Sequence, residues 1–587
     1  MLYPYIFGIT AAATILGFLL ELLDGDDKNY WAVLATAISA FVANWLIIML
    51  VMPSFAHILT GGWPLIILVN LGIAAFWSGI LHRGRVKLNG VIGGISLFTL
   101  VLIIWGAAAI FSPPAWCATG QIRERIALLD IQPANAAYPE TNLKDIIRVP
   151  ESVALTKAGN RLSSGETAAL GSFAQPARAY IQTIQGKAMY AVDLKITDRI
   201  AYHQYGDHLP GYLLVDATDD NVPAQPQFNY PIKYAPEALF ANDLNRLVYA
   251  DYALGSPYQI WDLDGMEVDE DLNPYYVGNM MDHVMGYKGI MPAGVYIADP
   301  LTREGKYYSL LDVPSWVNRL YPIEWFVNQL TLWGLFSKHD ACTASELNKE
   351  KVDWYDDVAT PHGVEYQFAM TSTGDDPAMT RLIVGNPTTG KAVIYDMQGR
   401  NISSIMADIE KRAENILKST GHKADECEIH RILNTNTLYC ILTTGNDSGT
   451  STSGYAFVSL EASQNQKLED IALAESFDEA YFTYQEVLDR IGKSSSVENT
   501  REQFQIVGRV RSNTWVNYGS RAGTFLIHVV TEEGQSLYVS APGNSFNAAI
   551  AKPGKDVTAT VYQLEGQNFL TVSYITVNGE PDLDTGK

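Results

Sequence analysis

Four long apolar runs occupy the first 111 residues: Pro4–Leu23, Tyr30–Met52, Pro64–Leu81 and Leu88–Phe111. Each is close to the ~20 residues that cross a hydrocarbon core of roughly 30 Å as a helix. Burying four such runs in succession inside a water-soluble body would require a very large core. The spacing therefore predicts a four-helix transmembrane anchor over residues 1–111, followed by a large, mostly polar body. The first run lacks a basic n-region and a small-residue cleavage site, so it does not read as a cleavable leader.

Charge around the runs sets an expected orientation. The link His82-Arg83-Gly84-Arg85-Val86-Lys87 is the densest basic cluster near the spans, and short basic loops stay in the cytoplasm. That rule places residues 112–587 outside the cytoplasm; Arg123 and Arg125, just past the last run, weigh against it. The runs hold no Asp, Lys or Arg and are rich in small residues such as Ala11–Ala13, Gly72, Gly79, Gly90, Gly93 and Gly94. Such a bundle suits helix packing better than ion coupling. The formal net charge of −23 argues against nucleic acid as a partner, because phosphates need a basic surface.

In the body a strand, an Asp/Asn-Pro-x-Thr turn with a nearby Gly, and a second strand recur. The pattern runs Gly294–Thr302 into Gly305–Tyr308, again Leu382–Gly390 into Ala392–Tyr395, and more weakly Gly211–Thr218. Pro presets φ and Gly supplies positive φ, so each strong copy reads as a β-hairpin. Helical spacing accompanies the copies at Glu151–Arg161, Pro236–Leu254 and Ile402–Thr420. The expected organisation is a linker over 112–144, α+β repeats over 145–235, 236–312 and 350–462, an aromatic connecting helix over 313–349, and a long helix over 463–499. The tail, 500–587, alternates through five short segments with a short helix at Phe546–Ala551, which predicts a small OB-like β-barrel.

The Asp-Pro-x-Thr-x-x-Gly hairpin resembles the PepSY-type fold. Segments such as Tyr234-Ala235-Pro236, Asn273-Pro274-Tyr275-Tyr276-Val277 and Val313-Pro314-Ser315-Trp316-Val317 are also similar to a family of uncharacterised bacterial polytopic membrane proteins. The resemblance implies PepSY-like helix/antiparallel-sheet repeats in a bacterial inner (plasma) membrane protein, and the charge rule above puts those repeats on the membrane's outer face. It transfers no catalytic residue.

Sequence motifs for catalysis are missing: there is no GxSxG, HExxH, P-loop or GxGxxG. The densest acidic run offers Asp262, Asp264, Glu267 and Asp269 as a calcium site, although Gly265 comes too early for an EF-hand loop. No other cofactor is expected. His203, Asp207 and His208 share one loop, and His422 and His430 bracket Asp425, Glu426 and Glu428; both groups read as solvated. Cys427 and Cys440 flank a hairpin that would bring their sulfurs together in an oxidising compartment. Cys117 and Cys342 could pair or remain free.

The expected function is a non-enzymatic, membrane-anchored envelope protein in contact with lipid, assembling as a homo-oligomer or with an envelope protein partner. A membrane-bound enzyme or peptidase regulator at the cell surface is the alternative, and an oligomeric passive channel the second.

Overall fold

The computed structural model describes residues 2–23, 30–52, 63–81, 119–164, 170–236, 238, 242–285, 289–338, 349–374, 378–417, 420–446, 449–460, 470–491, 504–516, 524–531, 533–542, 545–563 and 570–580. The expected fourth span, Leu88–Phe111, the basic link at 82–87, and Cys117 and Cys342 lie outside the described residues.

Among the described residues three apolar helices come first: α1 (Leu2–Leu23), α2 (Tyr30–Val51) and α3 (Trp63–Leu81). Within α2, Val33–Val51 is long and apolar enough to cross a membrane by length and composition, while the described apolar stretches Tyr5–Ile15 and Trp63–Ala74 are shorter. Small and branched residues such as Ala13, Ala40, Ile48 and Ile66 are buried between the helices, and so are Asn44 and Asn70. The two amides exchange reciprocal hydrogen bonds of 2.9 and 2.6 Å. The opposite faces expose large apolar side chains, with Trp31 at 73% and Leu50 at 72%.

A short helix, α4 (Thr119–Ile126), and strand β1 (Asp130–Pro133) lead into the body. Four antiparallel meanders of four strands follow, each preceded by a helix. Helix α5 (Glu151–Leu162) precedes β2 (Ala174–Ile184), β3 (Lys187–Ile196), β4 (Tyr212–Asp216) and β5 (Gln225–Gln227), with α6 (Arg199–Tyr205) inserted after β3. Helix α7 (Leu244–Val248), continued by a π-helical turn at Tyr249–Ala253, precedes β6 (Gln259–Val268), β7 (Pro274–Met285), β8 (Gly289–Ala298) and β9 (Gly305–Ser309). Helix α8 (Ile323–Phe336) precedes β10 (Glu350–Thr360), β11 (Gly363–Ser372), β12 (Met379–Gly385) and β13 (Lys391–Tyr395), where β1 adds a parallel edge. Helix α9 (Ile402–Ile416) precedes β14 (Lys423–Ile432), β15 (Thr435–Asn446), β16 (Gly449–Ser459) and β17 (Ala472–Ala474), and α10 (Phe477–Arg490) closes the set.

The repeated hairpins sit at equivalent places, between the third and fourth strands of their meanders. Asp299 Oδ1 accepts from the N–H groups of Leu301 and Thr302 at 2.7 and 3.1 Å. Asn386 Oδ1 accepts from Thr388 and Thr389 at 3.0 and 2.8 Å. The weaker copy does the same through Asp216 and the N–H of Thr218 at 2.9 Å. Side chains of this type close turns by accepting from backbone two residues on. Five residues before each turn, Gly211 and Gly294 let the fourth strand approach, for an added Cβ would stand 2.1 Å from the carbonyl oxygens of Gln227 and Tyr308.

The sequence division differs from this architecture in four respects. The stretch 350–462 splits into two units, because α8 belongs to β10–β13 and α9 to β14–β17. The aromatic helix starts only at Ile323, since Pro314 and Pro322 break the chain before it, and it buries Trp325, Phe326 and Leu330 in the core. The long helix expected over 463–499 is a strand and a shorter helix. Ala472–Ala474 pairs with β16, and Ser476 starts α10 by accepting from the Glu479 N–H. Likewise α7 begins at the Asp243 cap rather than at Pro236.

One apolar core runs through all four meanders and includes Val192, Met280, Phe368 and Phe457. A second lies under α9 against β12 and β14–β16. The π turn carries Tyr249, Ala253 and Leu254 into a cluster with Ile6, Ile48, Trp63 and Ile66, which joins the apolar helices to the second meander. At the C-terminus, β18 (Phe504–Val516), β19 (Thr524–Thr531), β20 (Ser536–Pro542), β21 (Asp556–Gln563) and β22 (Leu570–Val577) pair in the ring order β18-β19-β20-β22-β21, with α11 (Phe546–Ile550) between β20 and β21. Among the described residues two pairs, Val539 with Leu570 and Ser540 with Thr571, join β20 to β22, and β21 returns to β18.

Candidate functional site: an acidic cleft between modules

Three modules contribute carboxylates to one concavity. Strand alternation in β14 puts Glu426, Glu428 and His430 on one face and Cys427 and Ile429 on the other. The first face meets the N-terminus of α5. Pro150 provides no side-chain cap there, so the first turn takes its acceptors from β14. The Glu151 N–H donates to Glu426 Oε2 at 3.0 Å, and the Ser152 hydroxyl donates to Asp425. Carboxylates are favoured at this end of a helix by its unsatisfied N–H groups and dipole. From β3, the Tyr190 hydroxyl donates to Glu426 at 3.1 Å. Strand β10 supplies Asp356 and Asp357.

These groups line a cavity of about 340 Å³ with Glu151, Ser152, Leu155, Ala179 and Ile181. A second cavity of about 240 Å³ shares Glu151, Ala179 and Asp357 and continues past Arg178, Tyr180, Glu267 and Arg319. The pair is at the lower end of the size range of small-ligand sites. Arg319 donates to Asp357 at 2.6 Å. It is the one cation bonded to the cleft carboxylates among the described residues.

The electrostatics follow from crowding. Burial pushes the Asp356 carboxyl well above the usual carboxylate range, and the neighbouring Asp357 and Glu428 add to the shift. Burial does the same to Glu426, reinforced by Asp356 and Glu428. The two therefore titrate as an interacting pair. Glu151 is raised by burial, and the Tyr190 hydroxyl is raised by burial and then by Glu426. Burial works against the Arg319 charge, but Asp357, Tyr366 and Glu267 together more than offset it.

Beneath the cleft Glu428 is 1% exposed. Its Oε2 is hydrogen-bonded to His430 Nε2 at 2.8 Å, while Oε1 has no partner among the described residues. His430 Nδ1 in turn lies 3.3 Å from the Thr141 hydroxyl. A carboxylate–imidazole–hydroxyl row can generate a nucleophile only where the hydroxyl meets substrate. Neither cavity is lined by Thr141 or His430, so we assign the row no catalytic role.

Of the residues singled out in the sequence, Asp425 and Glu426 line the larger cavity and Glu267 the smaller. Of the expected calcium quartet, the side chains of Asp262 and Asp264 lie outside the described residues. Glu267 turns inward, accepting from the Asn318 N–H at 2.8 Å, and Asp269 closes the turn by accepting from the Asn273 N–H at 2.8 Å. Among the described residues no group of three or more His, Cys, Asp or Glu is arranged to hold a metal ion. His203 and Asp207 form an exposed pair at 3.0 Å. Cys427 and Cys440 face each other across β14 and β15 and are bonded at 2.07 Å. The solvated reading of the 422–430 segment is overturned, because Glu428 and His430 are buried and Glu426 lines the cleft. The signal that could have found them is the period-two spacing of Glu426, Glu428 and His430 between apolar residues.

No protein-family profile matches this chain, and no curated protein matches it in sequence.

Proposed function

We propose that this chain is a non-enzymatic, membrane-anchored envelope protein of a bacterial inner membrane, with its body outside the cytoplasm and its acidic cleft as a recognition site. Anchoring in lipid is supported by the exposed apolar faces of α1–α3, which carry Phe7, Ile15, Trp31, Ile38 and Leu50 where a water-soluble protein carries polar groups. The apolar run Leu88–Phe111, outside the described residues, has the length and composition of a fourth span. The observation that carries the recognition reading is the convergence of Glu151, Asp356, Asp357, Asp425 and Glu426 from three modules on one cavity. We read the C-terminal ring of strands as an OB-like module, supported by its order and by the helix between its third and fourth strands. Homo-oligomers form through the outward faces of the spans, where the small residues Ala11, Ala12 and Gly72 are exposed.

The test is labelling of intact cells with a membrane-impermeant thiol reagent at an engineered Asn221→Cys, together with carbonate extraction. The protein should stay in the membrane pellet, and the new thiol should react without lysis. Release by carbonate, or labelling only after lysis, would overturn the anchoring or the orientation. Light scattering in mild detergent reads the oligomer. The enzymatic alternative draws on the interacting Asp356–Glu426 pair, since paired carboxylates with raised pKa can serve acid–base chemistry. Turnover of a peptide or glycan panel that disappears in Asp356→Asn would establish it.

A further inference from the structure

We infer that the cavity between α5, β3, β10 and β14 binds an organic cation: a primary ammonium or guanidinium group carried on an aliphatic stem. This rests on the recognition reading above and names its ligand class.

Charge comes first. Five carboxylates line the 340 Å³ cavity, and the one cation bonded to them among the described residues, Arg319, is committed to Asp357. Glu428 lies behind them on the same strand face as Glu426. It acts electrostatically on Asp356, Glu426 and Tyr190, and its buried Oε1 has no partner among the described residues. A carboxylate oxygen kept from water without a donor is costly. A bound cation near Glu426 lowers that cost by field and can satisfy the cleft acceptors through several N–H donors.

Shape and spacing choose the kind of cation. A hard metal ion needs its oxygen ligands gathered at about 2.0–2.6 Å from one point. The described carboxylates are not so gathered; they are distributed around a cavity, as the several divergent donors of an ammonium or guanidinium require. The remaining wall is apolar, with Leu155, Ala179 and Ile181 beside the Tyr190 ring. Such a wall suits methylene groups, and an aromatic ring attracts a cation. The free α-amine of a small molecule and a Lys or Arg side chain of a protein share this chemistry.

The experiment uses the full chain in mild detergent and isothermal titration with pentylammonium, agmatine, uncharged pentanol, calcium chloride, and a flexible ten-residue peptide carrying one central Lys or, as its pair, Gln. Pentylammonium or agmatine should bind and pentanol should not. Binding of the Lys peptide alone assigns the site to a protein side chain, and binding of the small amines alone assigns it to a free amine. Asp356→Asn with Glu426→Gln should weaken binding about tenfold or more. Asp425→Asn, at the exposed rim, should weaken it less and guards against a misfolded double variant. Affinity should rise as pH climbs above the ordinary carboxylate range, with proton release on binding, as Asp356 and Glu426 ionise. The charged and titratable groups facing that pair are Glu151 from α5, Tyr190 from β3, Asp357 on β10, Asp425 and Glu428 on β14, and Arg319. Calcium binding without amine binding, equal binding of pentanol, or unchanged affinity in both variants would overturn the inference. Membrane retention and surface labelling would survive that outcome, so its failure is distinguishable from failure of the anchoring reading.

Discussion

The apolar helices and the body are built on opposite plans. In α1–α3 the large apolar side chains point outward and the polar pair Asn44–Asn70 is buried. In the body Trp325, Phe368 and Phe457 are buried, and carboxylates collect in a cleft that water reaches. The same backbone physics operates in both, but the expected surroundings differ. In lipid there is little hydrophobic drive between helices, so small residues and amide pairs hold them together. In water, burial of aromatics drives folding at roughly 25 cal/mol per Å². The join at Tyr249–Leu254 is where the two plans meet, with apolar side chains from both sides in one cluster.

The largest expected effect lies in the body. Trp325 packs against Phe326 and Tyr321 and donates to the Ile290 carbonyl at 2.8 Å. Trp325→Ala should cost about 3–5 kcal/mol in chemical denaturation followed by tryptophan fluorescence or circular dichroism. Membrane retention should not change. Joint loss of retention would break the contrast between a water-driven body and the proposed lipid-embedded anchor.

A smaller effect is expected in the helices. Asn44→Ala removes the partner amide and leaves Asn70 bonded to the Ile66 carbonyl alone, at 2.7 Å. In lipid this should cost about 1 kcal/mol, read by titration with denaturing detergent. A cost as large as that of Trp325→Ala would place α1–α3 in the same energetic regime as the body.

The smallest effect is one of slope. Asp356 and Glu426 have folded-state pKa values above those of free carboxyls. The folded state therefore holds more protons than the unfolded state between the two ranges. Their contribution is fully present below the ordinary carboxylate range and is lost as pH rises through the raised values. Glu426→Gln should flatten the fall in denaturation midpoint from acid to neutral pH. A wild-type stability that rises over that interval, with the variant identical, would remove the cleft as a source of strain.

Much of the fold was legible locally. The Asp299-Pro300 and Asn386-Pro387 turns announced themselves because the residues that close them are adjacent in sequence. Helix α5 was legible from its spacing, and the Cys427–Cys440 hairpin from its turn. The fourth repeat was hidden, because β17 is only three residues long and its apolar Ala-Leu-Ala run extends a helical pattern until Ser476 interrupts it. The cleft was hidden for a different reason. Asp356, Glu426 and Glu151 are widely separated along the chain, and each alone looks like an ordinary surface carboxylate.

The sequence by itself determined the apolar runs, the turn chemistry and the acidic balance of −23, because each depends on neighbours a few residues apart or on composition alone. Tertiary structure decided which carboxylates share a cavity and which helix belongs to which sheet. It also decided that the Glu428–His430 pair is buried rather than solvated. Those outcomes depend on how α5, β10 and β14 pack, and a long-range packing choice leaves no periodic trace in any one segment.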